Sequence, residues 1–263
     1  MNNMKLVFFD IDGTLWDEKH FIPESTVRAI KELRKNGNKA FLCSGRARAN
    51  IIAPELFEIG FDGVLAACGN HVEVDGRVLY ENLLSQEQVK KIIEVTEAAN
   101  MPVVLEGPKI HWISTKGFEN DPYVDFLYES LGENAKYLNG YEEGMQLNKF
   151  SADVWEDTDY EMIKRELLPF MDVLEHEGTV IEMIPKGTSK ATGIKWLCDY
   201  MQVPVEDTYA LGDSINDIDM LAFVGHGISM GNGTEPAKRA AEYITTGLYE
   251  DGVYNALKHY GLI

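Results

Sequence analysis

Apolar positions along the chain repeat with two different periods. Leu6-Val7-Phe8-Phe9 is an unbroken apolar run, the pattern of a strand buried on both faces. After Pro23-Glu24-Ser25 the period changes. Val27, Ile30 and Leu33 fall on one helical stripe, and Arg34, Lys35 and Gly37 supply its end. Residues 40–43 predict a second strand, 47–57 a second helix and 61–66 a third strand. Residues 71–74 and 77–80 flank Asp75-Gly76, a hairpin turn. Strand alternating with helix predicts an α/β fold, a Rossmann-like and mostly parallel sheet with helices on both faces.

The alternation breaks near Asn82. Ser85 followed by Gln88 is a capping box that opens a helix running to about residue 100. Strands are expected at 103–106 and 110–114, a helix at 122–131, a strand at 149–155, a helix at 160–168, and strands at 173–176 and 180–184. Neighbouring strands of this kind make an α+β block. From Pro185 the α/β rhythm returns, with helices at 190–200, 215–222, 235–241 and 252–260 and strands at 209–211 and 226–229. The pattern predicts two domains. Residues 1–82 and 186–263 form a discontinuous core, and residues 83–185 form an inserted α+β cap.

The charge balance narrows the partners. Lys and Arg number 24 against 43 Asp and Glu, a net charge of −19. Such a surface repels phosphate backbones and anionic membranes, so a small molecule is the expected partner rather than nucleic acid or membrane, and the acidity itself reads best as a solubility device. Cys43, Cys68 and Cys198 are odd in number and form no C-x-x-C pair, which argues against a disulfide framework or a zinc site. They read as reduced thiols of a cytoplasmic protein. Asp10 interrupts the first apolar run, so no signal peptide is expected, and no run is long enough to span a bilayer. Oligomeric state has no signature in the sequence.

Four polar clusters follow predicted strands, at the carboxyl edge where open α/β sheets bind ligands. Asp10 and Asp12 in Asp10-Ile11-Asp12-Gly13-Thr14 project to one side of an extended chain, and like charges this close need a cation or a shared proton. Ser44 and Gly45 offer a hydroxyl and a backbone N–H to a phosphoryl oxygen at a helix N-terminus. Lys190 opens a helix, where a cation opposes the macrodipole and invites an anionic partner. Asp213 and Asp217 in Gly212-Asp213-Ser214-Ile215-Asn216-Asp217 flank a strand-to-helix turn and offer the hard oxygen ligands that suit Mg²⁺. Taken singly, each cluster also fits a plainer description: an acidic turn, a capping serine, a solvated lysine, an acidic first turn. Their occurrence together, in this order, each at a strand-to-loop junction, favours chemistry.

These residues resemble the motifs of the haloacid dehalogenase superfamily, in its Cof-like branch with a large inserted α/β cap. The likeness extends to Met230-Gly231-Asn232-Gly233 and Glu250-Asp251-Gly252-Val253. The resemblance implies an Mg²⁺-dependent phosphatase of small phosphorylated metabolites. Asp10 would be the nucleophile and a metal ligand. Asp12 would be the general acid/base and bind metal through its backbone carbonyl. Ser44, Gly45 and the backbone beside Ile11 would hold the phosphoryl group. Lys190 would neutralise it and Asn216 would touch it, while Asp213 and Asp217 would serve the metal. Three positions depart from the pattern: Cys43 in place of threonine, Cys68-Gly69-Asn70 in place of Asn-Gly-Ala, and Gly233 in place of alanine.

Two rivals share parts of this set. A phosphomutase would have to grip a second phosphate, normally with arginines, yet residues 83–185 carry 21 acids against seven Lys and Arg165 alone. A phospho-acceptor signalling module has no need of Asp12 or of a cap. The acidic insert fits a neutral, hydroxylated leaving group such as a sugar, with Glu106, Trp112 and Glu182 expected to hydrogen-bond hydroxyls and stack on a ring; it fits equally a set of acids that face solvent and say nothing about the pocket.

Overall fold

The computed structural model describes residues 4–176 and 178–263. Residues 1–3 and 177, which the two expected domain ranges also include, lie outside the described residues. In chain order the elements are β1 (Leu6–Phe9), α1 (Glu24–Lys35), β2 (Lys39–Cys43), α2 (Pro54–Ile59), β3 (Gly63–Ala66), β4 (His71–Val74), β5 (Arg77–Glu81), α3 (Gln86–Ala98), β6 (Val103–Glu106) and β7 (His111–Ser114). Then come α4 (Pro122–Leu131), β8 (Ala135–Leu138), β9 (Lys149–Asp153), α5 (Tyr160–Leu167), β10 (Met171–Glu175), β11 (Val180–Pro185) and α6 (Lys190–Met201). The chain ends with β12 (Thr208–Gly212), α7 (Ile218–Phe223), β13 (His226–Ser229), α8 (Glu235–Ala240), β14 (Tyr243–Ile244) and α9 (Gly252–His259).

The chain divides into two compact units. The first comprises Met1–Gly45, Ala53–Tyr80 and Ser189–Ile263, and the second Arg46–Ile52 and Glu81–Thr188. Local bonds account for where the second begins and ends. Asn148 donates from Nδ2 to Glu81 Oε1 at 2.6 Å and to the Asn82 carbonyl at 3.0 Å. At the other crossing the Lys186 N–H donates to the Phe170 carbonyl, and that of Gly187 to Asp172. Asn50 donates to the Tyr123 hydroxyl at 3.4 Å, which ties the stretch after Gly45 to the second unit.

The first unit is built on an eight-stranded sheet in the order β14-β13-β12-β1-β2-β3-β4-β5. It is parallel from β14 to β3 and turns antiparallel at β4. Leu6 and Phe8 of β1 join Phe41, Leu65 and the helix residues Ile194, Leu197 and Met220 in one buried cluster. Strand alternation sends Val7 and Phe9, both fully buried, to the opposite face. Both sides of β1 are therefore dry, as its unbroken apolar run requires. Helix α1 packs against α9, and α7 against α6 and α8.

Two expected helices are shorter than their apolar patterns suggest. In place of a helix over 47–57 there is a 3₁₀ turn at Arg48–Asn50 and then α2. Pro54 is the cause, since it excludes the helical region for Ala53, which sits at φ −60°, ψ 119°. No α-helix N-terminus therefore lies at Ser44–Gly45, which corrects that part of the expected phosphate cradle. The helix expected over 215–222 begins as a 3₁₀ turn at Ile215–Asp217, capped reciprocally by Ser214 and Asp217, before α7. Strands β8 and β14 were not expected. β8 pairs with one neighbour and exposes its central residues, and β14 has only two residues, so neither leaves an apolar pattern.

The second unit is a six-stranded sheet, β10-β11-β9-β6-β7-β8, antiparallel except for β7–β8. One face buries Leu105, Trp112, Phe150 and Met183 against Val89 and Ile92 of α3 and Ile163 and Leu167 of α5. The other face carries Val104 and Ile113 packed on Val124, Leu127 and Leu131 of α4. Among the described residues no helix is long and apolar enough to cross a membrane. All three cysteines are free and buried.

Candidate active site

Asp10, Ser44 and Asp213 each follow the last residue of a parallel strand, and β1, β2 and β12 are adjacent in the sheet. The three side chains are thus set along one carboxyl edge by the strand register. The Asp10 N–H donates to the Leu211 carbonyl at 3.0 Å, which carries the β1–β12 pairing to the edge. Ser44 is buried, and its N–H is fixed by the Leu65 carbonyl at 2.9 Å. Beside it, burial raises the Cys43 thiol well above its ordinary pKa and keeps it protonated.

Lys190 organises the charge. Its side chain is fully buried, and Nζ lies 2.6 Å from Asp10 Oδ1 and 2.6 Å from Asp217 Oδ1. Burial works against the ammonium form, but Asp10 and Asp217 outweigh it and hold Lys190 charged. The second oxygen of Asp217 accepts the backbone N–H groups of Asp213 and Ser214, both at 2.9 Å. Asp213 Oδ1 accepts the Thr14 hydroxyl at 3.0 Å. Gly13, at φ +80°, passes so close that a Cβ there would stand 2.3 Å from Asp213 Oδ2. Only glycine admits both the turn and the approach.

One lysine does not balance this many acids. Burial, followed by the charge of Asp217, raises the Asp10 carboxyl well above the usual range. The same two causes push Asp213 up to about 7. Asp10, Asp213 and Asp217 each present an oxygen within 4.8 Å of the others'. An all-oxygen, partly buried, under-neutralised group of this kind fits a hard divalent cation such as Mg²⁺. The Asp12 carboxylate lies near enough for its charge to raise Asp10 and Asp213 as well. It is exposed, and its Oδ1 accepts the Trp16 indole N–H at 2.9 Å. Asn216 is half-buried, and its Oδ1 accepts the Ser214 hydroxyl at 2.9 Å.

Two supports were not singled out as site residues from the sequence. Asn232 donates from Nδ2 to the Gly13 carbonyl at 2.8 Å and so braces the turn after Asp12. Gly69, at φ +82°, lies against the first turn of α6, where a Cβ would stand 2.3 Å from the Ser189 carbonyl. Gly193 completes the approach, with its own Cβ position 2.6 Å from Gly69 Cα. This backbone contact sets the helix start from which Lys190 reaches Asp10. A Gly pair 124 positions apart has no local signature that could have marked it.

In the second unit, Glu106 and Glu182 share the sheet face opposite α3 and α5. Between them lies Lys149, 3.2 Å from Glu106 Oε1 and 2.5 Å from Glu182 Oε2. Ser151 donates its hydroxyl to Glu106, and His176 Nε2 lies 2.8 Å from Glu182. Burial alone would raise the Glu182 carboxyl, but Lys149 and then His176 lower it to about 2. A cleft of about 310 Å³ opens on this face, with Val104, Tyr123, Ser151 and Val180 among its walls. Trp112 does not join the cluster. It sits one residue out of phase, 6 % exposed in the apolar core under α3 and α5, which corrects its expected stacking role.

A carboxylate nucleophile candidate at the end of a central strand, a buried lysine on it and two further acids beside it describe a phosphate-ester hydrolase on an α/β sheet. Residues 7–257 match the haloacid dehalogenase-like hydrolases, and the chain belongs to that family. It is 32 % identical to the "Putative phosphatase YkrA" of Bacillus subtilis (strain 168), over 98 % of each chain. It is 28 % identical to 5-amino-6-(5-phospho-D-ribitylamino)uracil phosphatase YitU of the same organism, over 97 % of each. Among solved structures, the subclass IIB sugar phosphatase BT4131 superposes with a TM-score of 0.83 at 26 % identity, covering 99 % of this chain and 100 % of the other. The protein is thus a phosphoric monoester hydrolase acting on phosphorylated substrates, of a family whose phosphatases generally use Mg²⁺.

Proposed function

We propose that the protein is an Mg²⁺-dependent phosphatase that works through an aspartyl-phosphate on Asp10. The observation that carries this is the Asp10 carboxylate itself: buried at the end of β1, bonded to Lys190, with Asp213 and Asp217 close by. Asp10, Asp213 and Asp217 would hold the metal by side chains, and Asp12 by its backbone carbonyl. Mg²⁺ held there would supply positive charge that offsets the charge of the phosphoryl group. Lys190 neutralises the anionic nucleophile and its substrate, while Ser44, Gly45, Asn216 and the backbone at Ile11 orient the phosphoryl group. Asp12 gives a proton to the leaving oxygen as Asp10 attacks, then takes one from the water that hydrolyses the phospho-enzyme.

The insert of residues 83–185 is proposed as the cap that chooses the leaving group, a neutral hydroxylated one such as a sugar or sugar alcohol. Its buried lysine is already matched by two carboxylates, so the cluster leaves no surplus cation for a second phosphate. Glu182, whose carboxyl Lys149 and His176 hold low, and Glu106 lie on the sheet face that carries the cleft and suit hydroxyl donors. The names of YitU and BT4131, a phospho-ribityl phosphatase and a sugar phosphatase, support the same class. Hexose and pentitol monophosphates should exceed bisphosphates in kcat/KM by tenfold or more, about 1.4 kcal/mol in transition-state binding. A tenfold preference for a substrate with a second anionic group would refute this choice.

The covalent mechanism is tested by trapping. Asp10→Asn should abolish turnover. Asp12→Asn, mixed with substrate and Mg²⁺, should gain the mass of one phosphoryl group on Asp10 and hydrolyse it slowly, and chelation should prevent the gain. Near-normal kcat in Asp10→Asn would end the covalent reading.

A further inference from the structure

Asn50 and Tyr123 meet within the second unit, each fixed by its own element. Asn50 closes the 3₁₀ turn Arg48–Asn50, with its N–H on the Ala47 carbonyl at 2.9 Å. The Arg48 guanidinium donates to the Ile51 carbonyl at 3.0 Å and holds the far side of that turn. Tyr123 is the second residue of α4. The Asp121 carboxylate caps this helix and accepts the N–H groups of Tyr123 at 2.9 Å and Val124 at 3.0 Å. The Tyr123 ring is 46 % exposed and walls the cleft, but its hydroxyl turns inward. Burial, and then the charge of Glu106, raises that hydroxyl above its ordinary pKa and keeps it a donor. It accepts Asn50 Nδ2 at 3.4 Å, and its own proton has no acceptor among the described residues. Asn50 is 3 % exposed, yet among the described residues its Oδ1 accepts no hydrogen bond.

A buried donor and a buried acceptor, side by side and unsatisfied, cost free energy until a further polar group pairs with both. The two ends of one amide lie less than about 2.6 Å apart, so Asn50 Oδ1 is within about 6 Å of the Tyr123 oxygen. One hydroxyl oxygen spans such a gap with two bonds of about 2.8 Å each. We propose that Asn50 and Tyr123 are specificity-determining residues of the phosphatase: together they receive one hydroxyl of the leaving group, which accepts the Tyr123 proton and donates its own to Asn50 Oδ1. This rests on the reading of residues 83–185 as the cap that chooses the leaving group. Ala47 is extended and the 3₁₀ turn follows it, so the chain itself keeps Asn50 within about 13 Å of Gly45. A leaving group held by its phosphoryl end at Ser44 and Gly45 therefore starts close to the pair. The chemistry of the pair selects. A methylene in place of the hydroxyl leaves both groups unpaired and dry. An ammonium cannot accept the Tyr123 proton, and a carboxylate cannot donate to Asn50 Oδ1. Only a group that donates and accepts at once satisfies both.

The test measures kcat/KM for glucose 6-phosphate and for its monodeoxy analogues, one for each ring hydroxyl. Wild type should disfavour one analogue by about 10–100-fold, because that one leaves the buried pair unsatisfied. Tyr123→Phe and Asn50→Ala should each shrink this ratio by about threefold or more, and the double variant should bring it within about twofold of one. A ratio cancels the fraction of active enzyme, and the mild Tyr123→Phe carries the test alone if Asn50→Ala does not fold. No disfavoured analogue in wild type, or a ratio unchanged in either folded variant, overturns the role of the pair. Glucose 1,6-bisphosphate is run beside them. If it exceeds glucose 6-phosphate tenfold in wild type, the choice of a neutral leaving group falls. If glucose 6-phosphate is preferred while the deoxy ratios do not respond to the variants, that choice stands and the pair alone is overturned.

Discussion

Lys149→Met offers a quantitative check on the charge cluster of the second unit. The ammonium is 3 % exposed and lies between Glu106, also 3 % exposed, and Glu182, 13 % exposed. Removing one partner of a buried ion pair leaves uncompensated charge and costs about 3–5 kcal/mol. The proton affinity of Glu182 gives a similar figure. Its carboxyl falls from 4.5 to about 2 on folding, a difference equivalent to about 3 kcal/mol at neutral pH. The sign follows from a depressed folded-state value. The stabilisation is complete above the unfolded pKa and disappears as pH falls from about 4.5 toward 2. In the variant, burial without Lys149 favours protonated Glu182, so the variant regains stability as Glu182 takes up a proton. The gap between wild type and variant therefore narrows on acidification. Urea unfolding followed by hydrogen exchange in β9 and β11 isolates this unit from the other. A loss of about 3 kcal/mol at pH 7, smaller by pH 4 and partly restored in Lys149→Met/Glu182→Gln, is expected. A loss under about 1 kcal/mol, or one that does not vary with pH, refutes the electrostatic account.

Gly69→Ala should lower both stability and kcat. Positive φ for a residue with a Cβ and the 2.3 Å approach to the Ser189 carbonyl together cost about 2–4 kcal/mol. Relief requires the first turn of α6 to shift, taking Lys190 with it. An unchanged kcat in folded Gly69→Ala would show that Lys190 does not depend on this contact.

The parts of the site carried by short local patterns were legible in the sequence. Asp10, Ser44 and Asp213 follow apolar runs that could only be buried strands, and their neighbours in the sheet follow from the α/β rhythm. What escaped depended on contacts across the fold or on phase. Trp16 reads as one more core aromatic, since nothing in its spacing says that the indole nitrogen turns back to Asp12. Trp112 and Glu106 both lie on strands, but on opposite faces, and a shift of one residue decides between a core and a polar cluster. Lys149 was overlooked because a lone lysine in an acid-rich insert looks like a solvated one. Only the pairing of β9 between β6 and β11 brings it between two glutamates. Pro54 was visible and should have shortened its helix, but the apolar stripe on either side masked it.

The place of β12 beside β1 has a consequence for biosynthesis. The strand that leads into Asp10 leaves the ribosome well before its neighbour β12. Its neighbour, registered Leu6 against Thr208, is translated some 200 residues later. The six-stranded sheet lies wholly between them in sequence and has its own core, so it can fold while Leu6–Phe9 still has an open edge. Nascent chains and early-terminated products therefore carry Asp10 and Asp12 without Lys190, Asp213 or Asp217. On the roles proposed for these residues, hydrolytic competence waits until Asp217 has been translated, so a chain that stops before it cannot act as an indiscriminate phosphatase.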